Sequence, residues 1–239
     1  MDRARPVIAG TVGLPIFRSE PHRCSYLPGR TAEDVFTAPA ALHPAVYQLY
    51  MDAGFRRSGS IVYRPDCEGC CECVPIRVPV AHFAPSRSQR RVLKRNRDVR
   101  MEIGSPIFND DKWRLYVNYL RFQHDGSMSQ SREDLEGFLY RSPTRTLEMT
   151  YWLDRRLVGV GIVDVTPVAL SSVYFYFDPV EGRRSLGVHS ALTEIEECRR
   201  RGLAWWYIGY YVRECDRMNY KSDYRPHELL GADGVWRSP

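Results

Sequence analysis

Of all features of this 239-residue sequence, the order of secondary-structure elements predicted for residues 99–210 constrains the fold most. Apolar residues alternate with polar ones over several short runs, which predicts strands, and in other runs they recur every three or four residues, which predicts helices. The order is one strand, two helices, three strands, one helix and a final strand. The predicted ranges are 99–103, 110–122, a helix from residue 131, 146–153, 157–165, 172–177, 186–201 and 205–210.

This order resembles that of the GNAT acyltransferase fold, in which a turn and a helix after the fourth strand receive the acyl donor. We therefore predict an α+β protein with a mixed sheet, divided into a GNAT-like domain over residues 98–239 and a smaller N-terminal α/β unit over residues 1–97. In that unit the pattern predicts a helix over 43–53, a strand over 55–63 interrupted at Gly59, and a strand over 74–80. Pro75 and Pro79 favour an edge position for the last strand because proline donates no ladder hydrogen bond.

Positive charge is concentrated in one short stretch, although the chain as a whole carries a net charge of only +5. Residues 86–100 contain seven basic residues against one acid, Asp98. Ser86 is a suitable N-cap for a helix there, and such a basic surface can neutralise nucleic-acid phosphates. The alternative is an ordinary solvated helix face. The candidate phosphate contacts are Arg87, Arg90, Arg91, Lys94 and Arg95.

The cysteines are crowded rather than spread as a disulfide framework. Four of the seven lie within seven residues, which favours metal binding or redox chemistry in a reduced compartment. Thiolates at this spacing form a cysteine knuckle that suits a structural zinc ion or an iron–sulfur cluster, and Cys24 is the most natural distant ligand. The alternative is a set of reduced thiols that pack without metal. The candidate ligands are Cys24, Cys67, Cys70, Cys71 and Cys73.

Two further segments could contact a substrate. The turn before the helix at 186 contains Arg183, Arg184 and Gly187, and free amides at a helix N-terminus attract phosphate. His189 stands where acetyl-CoA enzymes of this fold have a small residue, and an ordinary loop-to-helix turn is the alternative. The aromatic run at 205–211 and the segment 218–221 could stack bases, although a plain core strand explains most of these aromatics. Lys221 could meet an anion there.

The composition argues for a folded protein outside the membrane. Hydrophobic residues make up 44% of the chain, and no stretch approaches the roughly 18 apolar residues of a membrane span. The segment 1–17 faintly imitates a signal peptide, but Pro6, Gly10, Gly13 and Pro15 interrupt its apolar run. We therefore expect a cytoplasmic protein.

Several sequence blocks occur together in one order from about residue 24 to residue 226. They are C-S-Y-L-P from Cys24, G-F-R-R-S-G from Gly54, Y-R-P from Tyr63, the cysteine knuckle, D-P from Asp178, S-L-G from Ser185, Y-I-G-Y from Tyr207 and M-N-Y-K from Met218. Together they resemble the aminoacyl-tRNA–protein transferases of the N-degron pathway, most closely the bacterial aspartate/glutamate leucyltransferases. The eukaryotic arginyltransferases are more distant relatives. Their early Cys-x-x-Cys keeps only Cys24 here, and their later Cys-Cys matches Cys70 and Cys71.

The resemblance implies an enzyme that transfers an aminoacyl group, leucine in preference to arginine, from a charged tRNA to the α-amine of proteins beginning with Asp or Glu. An acetyl-CoA-dependent N-acetyltransferase is the other enzyme class that the predicted fold allows. The implied partners are aminoacyl-tRNA and protein substrates, with neither a membrane nor DNA, and the chemistry requires no cofactor. We expect the terminal adenosine of the tRNA near the turn of Arg184 and Gly187. Arg77 and Lys221 are candidates for the acceptor's acidic side chain, and Tyr174, Asp178 and His189 are candidates for proton transfer.

Overall fold

The computed structural model describes residues 14–123 and 129–239. The helices are α1 (Pro44–Asp52), α2 (Arg87–Arg95), α3 (Asp110–Gln123), α4 (Arg132–Leu135), α5 (Leu186–Arg200) and α6 (Asp216–Asn219). The strands are β1 (Phe17–Arg18), β2 (His22–Arg23), β3 (Thr31–Ala32), β4 (Asp34–Thr37), β5 (Arg56–Ser58), β6 (Ile61–Pro65), β7 (Val74–Pro79), β8 (Val99–Gly104), β9 (Thr146–Leu153), β10 (Arg156–Val165), β11 (Ala169–Phe177), β12 (Trp205–Tyr211), β13 (Glu228–Leu230) and β14 (Trp236–Arg237). Short 3₁₀ turns cover Val80–His82, Pro179–Arg184 and Tyr220–Asp223, and a π-helical turn covers Glu136–Tyr140.

An eight-stranded mixed sheet forms the centre of the fold, with the order β14-β13-β7-β12-β11-β10-β9-β8. Strands β8 to β11 are successive antiparallel neighbours, whereas β11 and β12 run parallel. The predicted order of strands and helices from residue 99 is confirmed, and so is the mixed GNAT-like sheet. None of the described helices is both long and apolar enough to cross a membrane.

The position predicted for strand β7 is wrong. This strand lies inside the sheet, between β12 and β13, rather than at an edge. Its prolines are tolerated because Pro75 lies where the register against β12 is irregular and Pro79 is the last residue of the strand. The predicted domain boundary between residues 97 and 98 stays a prediction. Strand β7 precedes that boundary in the sequence but is part of the large sheet.

The N-terminal segments form a second layer, in which the sheet β1-β4-β6-β5 and helix α1 pack against one face of the large sheet. Gly59 follows β5 in the β5–β6 turn, which explains the predicted interruption. Tyr47 and Met51 of α1 pack in one buried cluster with Tyr207 of β12. The segment 1–13, most of the stretch that resembles a signal peptide, lies outside the described residues.

Helices cover both faces of the sheet beside this layer. Helix α3 packs on the face of the sheet that carries Val160 and Ile162 of β10. The N-terminal layer packs on the same face, where Arg57 of β5 pairs with Asp164 of β10. Helix α5 covers the opposite face, and α2 packs against α5 there. The N-terminal layer and α3 therefore lie on one face of the large sheet, and α5 and α2 lie on the other.

Candidate active site

The parallel strands β11 and β12 separate after three pairs of residues. Ala169 to Ser171 pair with Trp205 to Tyr207, and no pairing of these two strands continues beyond them in the described structure. Two irregularities widen the gap. The register of β11 shifts against β10 after Ser172, and Gly209 of β12 adopts a φ of 93°, where the register of β12 against β7 also shifts. The result is an opening in the middle of the sheet, between residues 172–177 and 208–211.

A buried carboxyl group lies beside this opening on the α5 side. Glu194 of α5 accepts a hydrogen bond from Trp206 Nε1 at 2.8 Å and weaker ones from Ser190 Oγ at 3.3 Å and Ser172 Oγ at 3.5 Å. Burial raises the pKa of Glu194 to about 7, because no cation compensates the charged form. Glu194 therefore ties the two separating strands to one helix through Ser172 and Trp206.

Replacing Glu194 by glutamine is expected to remove a pH dependence of stability. Because its folded-state pKa lies above the unfolded value, the folded state binds more protons between about pH 4.5 and 7, and stability falls as the pH rises through that range. The full effect is about 3 kcal/mol, from about 1.4 kcal/mol per pKa unit. Urea unfolding between pH 5 and 7.5 should give a flatter profile for Glu194→Gln than for the wild type. Glu197→Gln is the control, since ion pairs lower the Glu197 pKa. Parallel wild-type and Glu194→Gln profiles would contradict the prediction.

The predicted basic helix is confirmed as α2. Ser86 caps it: its Oγ accepts from the Gln89 backbone N–H at 3.3 Å, and the Gln89 side chain accepts from the Ser86 N–H at 2.8 Å. Gln89, Val92 and Asn96 point inward. All five candidate phosphate contacts are exposed, so the helix presents one continuous basic face.

The end of α2 meets the turn that precedes α5. Arg95 donates to the Arg183 carbonyl, Asn96 Nδ2 donates to the Arg184 carbonyl at 2.9 Å, and Arg184 donates back to the Arg95 carbonyl at 3.2 Å. The structure therefore brings together the two segments that the sequence predicts to contact tRNA. A Cβ added at Gly187 would have no heavy atom within 4 Å, so a ligand can approach the backbone there.

Two residues of this turn are arranged differently from the prediction. Arg184 is already engaged, since it donates to both carboxylate oxygens of Asp98 at 2.9 Å and to Glu181 at 2.8 Å. His189 is buried with its ring against Tyr151. Burial lowers the pKa of His189 to about 4, so the ring is neutral at pH 7. Because the ring points into the protein, it does not occupy the surface of the turn.

The three candidates for proton transfer do not form one cluster. Tyr174 packs against Tyr116 and Tyr119 of α3, whereas His189 lies among the residues beneath α5, on the other face of the sheet. Asp178 caps the turn after β11 by accepting from the Val180 N–H at 3.1 Å, and it pairs with Arg156. Tyr174 lies closest to the opening, and burial raises its pKa well above the usual value, so it stays protonated.

The two candidates for the acceptor's acidic side chain have opposite surroundings. Arg77 is neutralised, because it donates to Glu228 at 2.7 and 2.9 Å and to Asp52 at 3.3 Å. Its guanidinium also lies 3.7 Å from the Trp205 ring centre. Lys221 is buried, and its Nζ donates to the Tyr210 carbonyl at 2.8 Å, beside Gly209. Of the two, only Lys221 is adjacent to the opening and without an ion pair among the described residues.

The cysteines that the sequence predicts as ligands lie near one another without converging on one point. Burial and then the neighbouring thiols Cys67, Cys24 and Cys70 raise the pKa of Cys73 to about 12, while Cys71 is exposed. Within the described ranges, no three His, Cys, Asp or Glu side chains are grouped so that they could hold a metal ion. The present arrangement of the thiols therefore does not fit a metal centre, and the zinc or iron–sulfur cluster stays a prediction.

Sequence reasoning missed three residues at the opening: Arg56, Glu194 and Gly209. Arg56 and Gly209 belong to the blocks G-F-R-R-S-G and Y-I-G-Y, which contributed to the resemblance but received no role. An arginine inside a predicted strand is the available signal, because a cation that becomes buried there needs a partner. Glu194 gave no signal, since a glutamate within a helix usually faces solvent.

The sheet with its opened parallel pair beside the start of α5 defines a GNAT-like acyltransferase fold. The C-terminal domain of a protein assigned as a lysylphosphatidylglycerol synthetase from Agrobacterium fabrum has a similar fold, with a TM-score of 0.51 at 12% identity over 82% of this chain and 63% of that one.

Comparisons of sequence narrow the class further. The family model for the N terminus of arginine-tRNA-protein transferases matches residues 22–91, and that for their C terminus matches residues 111–231. The aspartate/glutamate leucyltransferase of Pseudomonas savastanoi pv. phaseolicola is 42% identical over 220 residues, 91% of this chain and 94% of the relative. That of Marinobacter nauticus is 43% identical over 227 residues, 94% and 95% of the two chains. The chain therefore belongs to the aminoacyl-tRNA–protein transferase family, as the sequence blocks predict.

Proposed function

We propose that the protein transfers leucine from leucyl-tRNA to the N-terminal α-amine of proteins that begin with Asp or Glu and so marks them for degradation. The observation that carries this proposal is 42% identity over 91% of the chain to relatives named aspartate/glutamate leucyltransferase. An opened parallel strand pair in an acyltransferase fold, with a basic helix beside it, supports the same reaction. We also propose that the protein works in the cytoplasm, where charged tRNA is found.

In this proposal the aminoacyl donor, leucyl-tRNA, binds on the side of the sheet where α2 lies. The exposed arginines of α2 neutralise phosphates of the acceptor stem, and the open backbone at Gly187 receives the terminal nucleotide. Arg183 is exposed and contributes positive charge, whereas Arg184 holds the turn through Asp98 and Glu181. The aminoacyl ester then lies at the opening between β11 and β12.

The reaction is aminolysis of an ester that is already activated, so no covalent enzyme intermediate and no cofactor is needed. The α-amine attacks the ester carbonyl, the ribose oxygen leaves, and the proton lost by the amine passes to the leaving oxygen. The chain supplies positioning and stabilisation of the tetrahedral oxyanion. The protonated Tyr174 beside the opening is the proposed hydrogen-bond donor, while Asp178 and His189 hold the surrounding structure.

The test supplies labelled leucyl-tRNA, arginyl-tRNA and acetyl-CoA separately, with peptides that begin with Asp, Glu, Lys or Ala. The expected result is transfer of leucine to the Asp and Glu peptides alone. Transfer of arginine instead identifies the other donor, and transfer of acetyl groups without tRNA identifies an N-acetyltransferase. Transfer to Lys peptides assigns a different acceptor class. No transfer to any peptide contradicts the enzymatic proposal.

The double substitution Arg90→Ala and Arg91→Ala is expected to weaken tRNA binding and its salt dependence. Each lost phosphate contact should reduce the slope of log affinity against log salt by about one, so the slope should fall by about two. Fluorescence anisotropy with labelled tRNA between 50 and 200 mM salt measures both quantities.

The matched control is the double substitution Arg23→Ala and Arg237→Ala. It removes the same charge from exposed positions on β2 and β14, away from α2. This variant should keep the wild-type slope. Equal slopes for the two double variants would show that α2 does not contact the tRNA backbone.

A further inference from the structure

Two buried cations contact adjacent backbone carbonyls at the irregularity in β12. The guanidinium of Arg56, from β5, donates from Nη2 to the Gly209 carbonyl at 3.4 Å, and the ammonium of Lys221 donates to the Tyr210 carbonyl at 2.8 Å. Arg56 is 4% exposed and Lys221 is 8% exposed. The two residues come from opposite ends of the sequence and converge on the same two peptide units.

Every hydrogen bond of these two cations goes to a neutral group. Arg56 Nη1 donates to the carbonyls of Phe55 at 2.7 Å and Met51 at 3.4 Å, and its buried Nε has no hydrogen-bond partner. Lys221 has Met218 Sδ at 3.4 Å as its second contact. Neither forms an ion pair with any carboxylate of the described ranges.

Among the described residues, the other buried Arg and Lys side chains have a counter-ion: Arg57 pairs with Asp164 and Lys112 with Glu148. The partly buried Arg77 pairs with Glu228. A buried cation without a counter-ion is costly, and two of them together are costlier because they repel each other. Burial and then Arg56 lower the pKa of Lys221 to about 7. The surroundings of Arg56 and Lys221 thus lack one negative group.

The other titratable groups around the pair are the thiols of Cys73 and Cys215 and the phenols of Tyr207 and Tyr210. The rings of Tyr207 and Tyr210 lie 4.9 and 5.8 Å from the Arg56 guanidinium and hold it in place. Burial raises the pKa of Tyr210 well above its usual value, and Tyr63 and Tyr26 beside it raise it further. Because no carboxylate of the described residues pairs with Arg56 or Lys221, a bound ligand is the remaining source of the missing negative charge.

The position of the pair favours an acceptor carboxylate over a tRNA phosphate. Arg56 belongs to the N-terminal layer, on the face of the sheet opposite α5 and α2, whereas the basic face of α2 lies on the α5 side. The pair also adjoins the opening where the acceptor amine must meet the ester. In an N-terminal Asp or Glu the side-chain carboxylate is only a few bonds from the α-amine, so holding one places the other.

We propose that Arg56 and Lys221 together bind the side-chain carboxylate of the acceptor's N-terminal Asp or Glu, and that Arg56 is a specificity-determining residue of the proposed reaction. This proposal rests on the proposed function. Gly209 is part of the same site, because a Cβ there would lie 3.3 Å from Lys221 Nζ, where the carboxylate must approach. The acceptor and the donor then reach the opening from opposite faces of the sheet.

The test compares transfer of leucine to four peptides that differ only in beginning with Asp, Asn, Glu or Gln. The wild type is expected to prefer the acidic peptides. In Arg56→Gln and Lys221→Met, kcat/KM for Asp peptides should fall about 10- to 100-fold, the size expected for a lost charged hydrogen bond. The ratio of Asp to Asn should fall with it, and leucyl-tRNA affinity should not change. Arg213→Gln, which removes an exposed cation just after β12, should keep the ratio.

The two proposals fail in different ways. If the wild type transfers leucine to no peptide, the proposed function fails. If the wild type prefers Asp to Asn and both variants keep that ratio with wild-type tRNA affinity, the carboxylate site is wrong while the function stands.

A measurement on the wild type covers the case in which the variants do not fold. Calorimetric titration of the wild type with the Asp and Asn peptides should show tighter binding of the Asp peptide, because only its carboxylate can pair with the two buried cations. Equal affinities for the two peptides would contradict the site.

Discussion

Replacing Asp164 by alanine should lower the free energy of unfolding by about 3 to 5 kcal/mol, the cost of leaving a buried charge without its partner. Asp164 Oδ2 accepts from Arg57 Nε at 2.8 Å, and neither side chain is accessible to solvent. Its other oxygen accepts from Thr146 Oγ1 at 2.7 Å. Without the carboxylate, the acceptors left to the Arg57 guanidinium among the described residues are the carbonyls of Gly59 and Arg141. Urea denaturation followed by circular dichroism measures the change.

Two further variants separate this explanation from a general loss of charge. Asp233→Ala removes the partner of Arg237 in an exposed ion pair and should leave the unfolding midpoint unchanged. Arg57→Met combined with Asp164→Leu removes both buried charges and should recover most of the stability. A midpoint for Asp164→Ala close to that of the wild type would contradict the role given to this pair, which joins β5 of the N-terminal layer to β10 of the large sheet.

Replacing Gly209 by alanine should reduce kcat/KM for transfer by about 100-fold, the loss that follows from displacing reacting groups by about 1 Å. Gly209 has a φ of 93°, which side chains rarely tolerate, and a Cβ would press on Lys221 Nζ at 3.3 Å. The strand irregularity that opens the sheet and the cation beside it would both shift. Single-turnover transfer from preformed leucyl-tRNA measures the effect on the chemical step.

Gly202→Ala is the matched control for this substitution. Gly202 also has a positive φ, of 68°, but a Cβ there would have no heavy atom within 4 Å, and it follows the last turn of α5. Both variants should lose stability through backbone strain, by about 1 to 2 kcal/mol, because a Cβ is unfavourable at positive φ. Only Gly209→Ala should lose activity. Equal losses of activity would show that strain alone, and not the position of Gly209, explains the effect.

The local structure of the chain was largely predictable because it depends on short-range patterns. Helix α2 begins after Ser86, whose hydroxyl group caps it, and its buried residues Gln89, Val92 and Asn96 recur at helical spacing. The hairpin of β9 and β10 follows from alternating apolar residues around a short turn. Strands β1 to β4, β13 and β14 were missed because most have only two or three residues, too few to show a period.

The residues at the site were predicted less well, because their environment is set by distant parts of the chain. Arg77 and Lys221 are equally basic in sequence, but Glu228 and Asp52 neutralise one and nothing described neutralises the other. Tyr174 lies in the predicted strand before the turn of Arg184 and His189 lies in the predicted helix after it, yet the two residues lie on opposite faces of the sheet. Spacing along the chain gave no information on either point.

The sequence by itself determined the family, the order of strands and helices, and the basic helix, since each is carried by neighbouring residues. Only the tertiary structure decided that β7 lies inside the large sheet and that Arg56 and Lys221 meet beside Gly209. Those features depend on which segments pack together, and the charge that each buried group needs from a partner is a property of that packing.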